Sequence, residues 1–437
     1  MNRARRDGQY LLLLGSLVFI LLGTVLESTS PLKMVDFRTM YYSARCLVQH
    51  CDPYRENEVL RIYQAEGGTP PLDTARDRRV VTQYVYPPTT FSITAPIALL
   101  PWGPAHILWM ILTVGSLIFA SFLVWKLGAD YAPIITGGLT GLLLANSELL
   151  IITGNPAGFA ISLCVVAVWC FLRERFVPAG ILCLAISLAI KPHDTGLVWL
   201  YFLLAGGVYR RRAWQTLLAV AALSLPAILW VWLESPHWMQ ELHSNMLAHY
   251  ARGVTDNPGP TSTGAHGLGM MVNLQTVVSM FWDDPHIYNT ASYLICAPIL
   301  LIWAFVTLRS RPTPKRAWLA LAAIAALSML PIYHRENDTK LLLLTVPACA
   351  MLWAEGGLTG RLALLVTTAG FVLNGDFFWI VVLGLISHLQ LPATALTRHV
   401  VIAVQAFPAP LILLVISVFY LWVYVRHCST PVLSTPQ

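Results

Sequence analysis

The chain alternates long apolar blocks with polar interruptions. Apolar residues dominate 10–26, 106–125, 214–233, 290–308 and 400–425, with further blocks between them. An α-helix rises about 1.5 Å per residue, so about 20 apolar residues cross a hydrocarbon core of about 30 Å. In lipid the backbone must satisfy its own hydrogen bonds, and blocks without the period-two alternation of barrel strands do so as helices. The pattern predicts an all-α integral membrane protein, one polytopic domain over residues 1–437, with roughly 12 transmembrane helices. The apolar stretch 89–100, bounded by Pro88 and Pro101, is too short for an ordinary span and reads as a re-entrant or half-crossing segment.

Polar residues collect in a few places: 27–88, Gly154-Asn155-Pro156, Lys191-Pro192-His193-Asp194, 234–288 and Tyr333-His334-Arg335-Glu336-Asn337-Asp338. Basic clusters lie elsewhere, at Arg3/Arg5/Arg6, Lys126, Arg173/Arg175, Arg210/Arg211/Arg212, Arg309/Arg311/Lys315/Arg316 and Arg426. If the basic clusters are cytoplasmic, as the positive-inside rule requires, the polar stretches share the extracytoplasmic side. The expected location is the plasma (inner) membrane, multi-pass, with 27–88 and 234–288 as two large extracytoplasmic loops. Around Asn374-Gly375-Asp376 one long helix or a hairpin remains open, and with it the side of the C-terminus. The first block follows three arginines like a signal peptide but lacks a small-x-small cleavage site, so an uncleaved helix is expected. The tail 429–437 is polar and expected to be disordered.

Composition narrows the function. With 56% hydrophobic and 11% charged residues among 437, the chain cannot be a set of soluble domains, which carry roughly a quarter charged residues. The formal charge of +6 reports topology, and no basic tract interleaved with aromatics points to nucleic acid. No Gly-rich phosphate cradle is present for a cytoplasmic nucleotide. Cys164, Cys170, Cys183, Cys296 and Cys349 sit in apolar blocks as packing residues, whereas Cys46 and Cys51 share a polar loop and could close a disulfide in an oxidising compartment. No zinc spacing of Cys and His occurs, and no cofactor is expected.

Several residues could carry chemistry. Asp36, just after the first helix and beside Tyr41 and Tyr42, could take a proton from a sugar hydroxyl while the rings stack on the sugar; it could equally cap a helix or pair with Arg38 or Lys33. Tyr84 and Tyr86 read as an interfacial aromatic belt or as sugar contacts, and Arg76-Asp77-Arg78-Arg79 as a solvated face. Lys191 and His193 could bind a phosphate, or Lys191 could snorkel to headgroups. His334 and Arg335 beside Asp338 are costly near hydrocarbon, so function is the default there, with a loop network as the alternative. The loop 234–288 carries His243, His249, Tyr250, Arg252, Asp256, His266, Asn273 and Gln275 and reads as a lid or binding element; its irregular histidine spacing makes a metal site weak. Glu148 and Asp376 are the exceptions that could lie at the midplane.

An ordered series of short motifs runs through these positions: Asp36-Phe37-x5-Ser43-Ala44, Asp52-Pro53-Tyr54, Tyr86-Pro87-Pro88, Leu99-Leu100-Pro101-Trp102, Gly154-Asn155-Pro156, Ile190-Lys191-Pro192 and Tyr333-His334-Arg335-x2-Asp338. The series, from 35 to 354, resembles the polyprenyl-phosphate-mannose-dependent membrane glycosyltransferases of the GT-C fold, specifically glycosyltransferase family 87, which includes α-1,2-mannosyltransferases of the cell envelope. No single motif is specific. The resemblance implies a GT-C-like helix bundle whose extracytoplasmic loops form the active site, a polyprenyl-phosphate-linked sugar donor and a lipid or glycan acceptor. It implies inverting transfer of a hexose, mannose being the expected sugar, with Asp36 as the base. Lys191, His334 and Arg335 would bind the donor phosphate without a metal, and Tyr41, Tyr42, Tyr86, Asn155 and Asp338 would contact sugar or acceptor. Asn155 departs from the Gln expected there. The rival readings are a secondary transporter of a small solute, which would place ionisable groups at the midplane on broken helices, and a flippase partner without catalysis.

Overall fold

The computed structural model describes residues 3–30, 34–68, 81–252, 254, 256–260, 271–389 and 394–429. Among them no strand forms; one isolated antiparallel bridge joins Met271 to Arg335. The helices are, in chain order, α1 (Arg3–Thr29), α2 (Val35–Val48), α3 (Glu56–Ala65), α4 (Phe91–Ala98), α5 (Trp102–Gly128), α6 (Pro133–Leu144), α7 (Leu149–Thr153), α8 (Ala157–Leu172), α9 (Val177–Ile190) and α10 (Pro192–Leu204). They continue as α11 (Gly207–Glu234), α12 (Trp238–His249), α13 (Leu274–Ser279), α14 (Pro285–Arg309), α15 (Pro314–Leu327), α16 (Thr345–Glu355), α17 (Gly357–Leu373), α18 (Asp376–His388), α19 (Ala395–Ala406) and α20 (Pro408–Ser429). The segment Glu336–Leu344 is a 3₁₀ helix.

Six helical stretches are long and apolar enough to cross a membrane: Arg3–Thr29, Trp102–Gly128, Pro133–Thr153, Gly207–Glu234, Pro285–Arg309 and His399–Cys428. The pair Gly357–Leu373 and Asp376–Ile386, bent by 58°, raises this to seven. That replaces the expectation of roughly 12 spans. The apolar blocks between are cut short by Pro, Gly and polar breaks, leaving α8 at 16 residues, α9 at 14 and α15 at 14, below the length of a straight span. The break at Asn374-Gly375 resolves the open choice there in favour of a bend. The stretch 89–100 forms a 3₁₀ turn (Pro88–Thr90) and the eight-residue α4, consistent with a segment that does not cross fully.

Helices α15 and α16 and the Glu336–Leu344 segment lie in the interior, Ala- and Leu-rich and buried over nearly every residue. The first helix docks differently, through glycine. A methyl group built on Gly15 would lie 2.2 Å from the carbonyl oxygen of Gly141, and one on Gly137 2.0 Å from that of Gly8. Backbone therefore meets backbone between α1 and α6, the small-residue contact that membrane helices use where no hydrophobic force draws them together.

Three devices hold the segment after α1. The N–H of Met34, itself in the left-handed region at φ 55°, donates to the carbonyl of Ile152 at 2.8 Å. A second core of aromatic rings, with Phe37 stacked on Trp109 at 4.7 Å and on Trp102 at 5.7 Å, packs α2 against α5. A Cys46–Cys51 disulfide closes the end of α2.

A buried charge cluster lies where α6, α7 and α18 meet. The Lys340 ammonium donates to the carbonyl of Asn146 at 2.7 Å and sits 3.3 Å from Asp376, whose other oxygen accepts from the N–H of Leu149 at 2.7 Å. Glu148 is fully buried beside it.

Candidate active site

A cavity of about 480 Å³ opens between the start of α2, the α7–α8 turn, the α9–α10 junction, α12 and the segment before the 3₁₀ helix. Asp36 stands in its wall, in the first turn of α2. Gly154 brings the neighbouring turn close: it is left-handed at φ +64°, and a methyl group there would fall 2.7 Å from Cβ of Phe37. Only glycine fits. Asn155 follows. Its Oδ1 accepts from the N–H of Ala157 at 2.9 Å, which leaves its amide to donate to Oδ2 of Asp36 at 2.8 Å. A glutamine would reach too far to close that two-residue turn, so asparagine suits this site better than the Gln expected.

Burial raises the Asp36 pKa above the ordinary carboxylate value, only partly offset by hydrogen bonds from Asn155 and Thr153 and by the Arg335 charge. The group is thus a stronger base than a surface aspartate. Its partners are not those of a cap or salt bridge: Arg38 lies over Trp102, 5.3 Å from the ring centroid.

Cations line the facing wall. Lys191 ends α9 at a break enforced by Pro192, and its ammonium lies 2.5 Å from Asp338 and 3.3 Å from Asp194. Burial disfavours its charge, but the two carboxylates outweigh this and raise its pKa. Arg335 lies 3.3 Å from Asp256, and its backbone N–H donates to Asp338 at 2.9 Å. Asp256 also accepts from Tyr333 at 3.0 Å and pairs with His249 at 2.9 Å. Burial alone would raise the Asp256 pKa; the His249 hydrogen bond and Arg335 reverse the direction and lower it. His193 reaches the cavity, and burial pushes its pKa down to about 4, so it is neutral at physiological pH.

Of the residues singled out in the sequence, Asp36, Tyr86, Asn155, Lys191, Arg335 and Asp338 line this one cavity. His334 does not. It is fully buried behind the wall, its Nε2 3.4 Å from Asp194, and the ring lies 5.2 Å from that of His193. Tyr41 and Tyr42 face away, buried among Phe37, Tyr63 and Trp102, with the Tyr41 hydroxyl donating to the carbonyl of Leu100 at 2.8 Å. The helical period explains this: with 3.6 residues per turn, positions five and six beyond Asp36 fall more than a quarter turn away, whereas Thr39, three beyond, lines the cavity. Tyr84 is core as well, stacked on Phe91 at 4.9 Å. Asp194 went unremarked as a site residue, though an acid three positions after Lys191 and ahead of an apolar run pointed to it.

The loop 234–288 covers the cavity through α12. Leu242, Met246, His249 and Tyr250 face it, and Asn245 pins the helix by donating to the carbonyls of Tyr54 at 2.9 Å and Tyr84 at 3.1 Å. No four-histidine site assembles among the described residues: His243 is exposed, His249 holds Asp256, and His266 lies outside them, as do Lys33 and residues 76–79. His193, Asp194 and His334 do offer donor atoms within 4.8 Å of one another. The Lys191 ammonium against the same carboxylate already supplies the positive charge that a cation would bring.

Over more than half of its length, residues 84–332, the sequence matches glycosyltransferase family 87. The chain belongs to that family. Family 87 membership makes the protein a glycosyltransferase, which takes a sugar donor and an acceptor, and ranks the enzyme reading above a transporter or flippase partner. The match spans Tyr86, Asn155, Lys191, Asp194 and Asp256, while Asp36, His334, Arg335 and Asp338 fall outside it and join the cavity through the fold. No curated protein matches the chain.

Proposed function

We propose that this family 87 enzyme transfers a hexose, with mannose the expected sugar, from a polyprenyl phosphate to a hydroxyl of a lipid or glycan acceptor, inverting the anomeric centre. The observation that carries this reading is the placement of Asp36, one oxygen held by Asn155, in the same cavity as Arg335 and Lys191. Asp36 takes the acceptor's hydroxyl proton as that oxygen forms a bond to the anomeric carbon. The bond from that carbon to the phosphate oxygen breaks, and its electron pair leaves with the polyprenyl phosphate. Arg335 and Lys191 stabilise the departing charge in a site shielded from water, work that fixed cations do without a metal. Asp194 and His334 hold Lys191 and His193 in place from behind. Tyr86 and Asp338 contact sugar or acceptor from the wall.

The reading extends to topology. A GT-C-like bundle would hold this cavity on the extracytoplasmic side of the plasma membrane. The Cys46–Cys51 disulfide supports that side, since such bonds persist in oxidising compartments. The basic residues Arg5, Lys126 and Arg173 lie at the far ends of α1, α5 and α8, where the positive-inside rule wants them.

The test is transfer of radiolabelled mannose from polyprenyl phosphate to a membrane lipid extract by protein in nanodiscs, with Asp36→Asn alongside. Transfer by the wild type and a rate about 10²- to 10⁴-fold lower in a folded variant is the expected result. Equal rates would remove Asp36 from the mechanism. No transfer by either would reject this donor and call for other polyprenyl-linked sugars.

A further inference from the structure

A second pocket, of about 410 Å³, lies at the opposite end of the bundle. Its walls come from the start of α1, the end of α5 and the end of α8: Arg5, Trp125, Lys126, Asp130, Trp169, Arg173 and Arg175, with Ala129. Helix α1 is 27 residues long, so about 40 Å separates this pocket from the segment that carries Asp36. The two sites share no residue.

Its charges do not cancel. Asp130 pairs with both Arg5, at 2.5 Å, and Arg173, at 3.2 Å. Lys126 and Arg175 have no ion-pair or hydrogen-bond partner among the described residues. Four cations thus face one carboxylate. Trp125 is more than nine-tenths buried, and its indole N–H likewise has no acceptor among the described residues. A buried donor left without a partner costs about 1–3 kcal/mol, so an acceptor from outside the chain is favoured there. The arrangement combines free positive charge, a waiting donor and two indole rings at the ends of membrane helices.

We infer that this pocket binds the phosphodiester headgroup of an anionic bilayer lipid. The phosphate oxygens accept from Lys126, Arg175 and the Trp125 N–H, while the rings of Trp125 and Trp169 pack on the glycerol and upper acyl chain, the level at which tryptophan collects in membranes. A free phosphate ion would use the cations but neither the indole surface nor most of the volume. The inference stands apart from the proposed sugar chemistry.

Native mass spectrometry of the purified full chain tests it, with phosphatidylglycerol, phosphatidylcholine and inorganic phosphate as probes. The wild type should retain phosphatidylglycerol in preference to phosphatidylcholine, and millimolar inorganic phosphate should not displace it. Lys126→Ala with Arg175→Ala should weaken retention about 30-fold. Trp125→Phe, which keeps a ring and removes the N–H, should weaken it about fivefold. Equal retention of the two lipids, displacement by inorganic phosphate, or unchanged retention in both variants would each overturn the assignment.

Discussion

The protein buries two clusters of opposite charges within a few residues of one another, and they do different work. Around the large cavity, Asp36, Lys191, Asp256, Arg335 and Asp338 face a space where a substrate can sit. Two residues after Asp338 in the chain, Lys340 turns the other way, onto Asp376 and the carbonyl of Asn146, and lines no part of that cavity. The first cluster spends its charge on a guest and the second on the chain itself, where it ties the bend between α17 and α18 to the break between α6 and α7. Residue type does not distinguish them. What does is whether the last lone pair or proton points at protein or at open space.

The sharpest way to break this contrast is Asp36→Asn, whose rate should fall by the factor given above while the thermal midpoint stays close to wild type. Lys340→Met should do the reverse. Removing one partner of a buried pair leaves the other uncompensated and costs about 3–5 kcal/mol. Thermal unfolding in detergent should show a clear loss, and Lys340→Met with Asp376→Asn should recover part of it; a stable single variant with a dead active site would merge the two clusters into one. Next comes Arg335→Gln. Asp256 keeps His249 and Tyr333, so stability should hold, while transfer slows about 10²-fold with loss of a cation facing the leaving phosphate.

Asn155→Ala should act more gently and reveal itself by pH. The Asp36 pKa is already raised by burial, and the Asn155 hydrogen bond favours its charged form. Catalysis needs that charged form, so activity disappears as pH falls through the folded pKa, and the acid limb of the rate should lie above 3.8 in the wild type. Removing the amide raises the pKa further. The limb should move to higher pH, and the rate at neutral pH should drop about tenfold; a limb that stays in place would separate Asn155 from the base. The smallest effect belongs to Tyr42→Phe. Buried on the far face of α2, it should leave transfer within about twofold of wild type, and a large loss would return Tyr42 to the site.

Much of this was legible before any coordinates. Apolar blocks marked the membrane, and the polar stretches at Asp36, Gly154-Asn155-Pro156, Lys191 and Arg335 converge on one cavity although up to 299 positions separate them along the chain, from Asp36 to Arg335. The number of spans was not legible, because a block of 14 apolar residues and one of 27 both read as membrane while only the second is long enough to cross it straight. Side-chain direction was lost as well. Tyr41 and Tyr42 are near Asp36 in sequence, but helical phase turns them into the aromatic core. His334 sits beside Arg335, yet the bridge from Met271 to Arg335 fixes an extended backbone there, and neighbours on an extended chain point to opposite sides. Asp194 and Asp256 acquire their meaning only from partners far away in the chain.

The glycine contact between α1 and α6 has a mechanical consequence. Helix α1 leans on α6, α6 leads through a short break into α7, α7 offers the Ile152 carbonyl to Met34, and Met34 stands at the foot of α2. That is a closed linkage, a truss with one hydrogen bond as its tie rod, and Asp36 rides on its apex. In an open chain each joint adds play to the next, whereas a closed frame distributes the error and keeps the apex steady. The tolerance of the whole frame is set at Gly15, about 20 Å along α1 from the helix end, where the gap will not admit a methyl group.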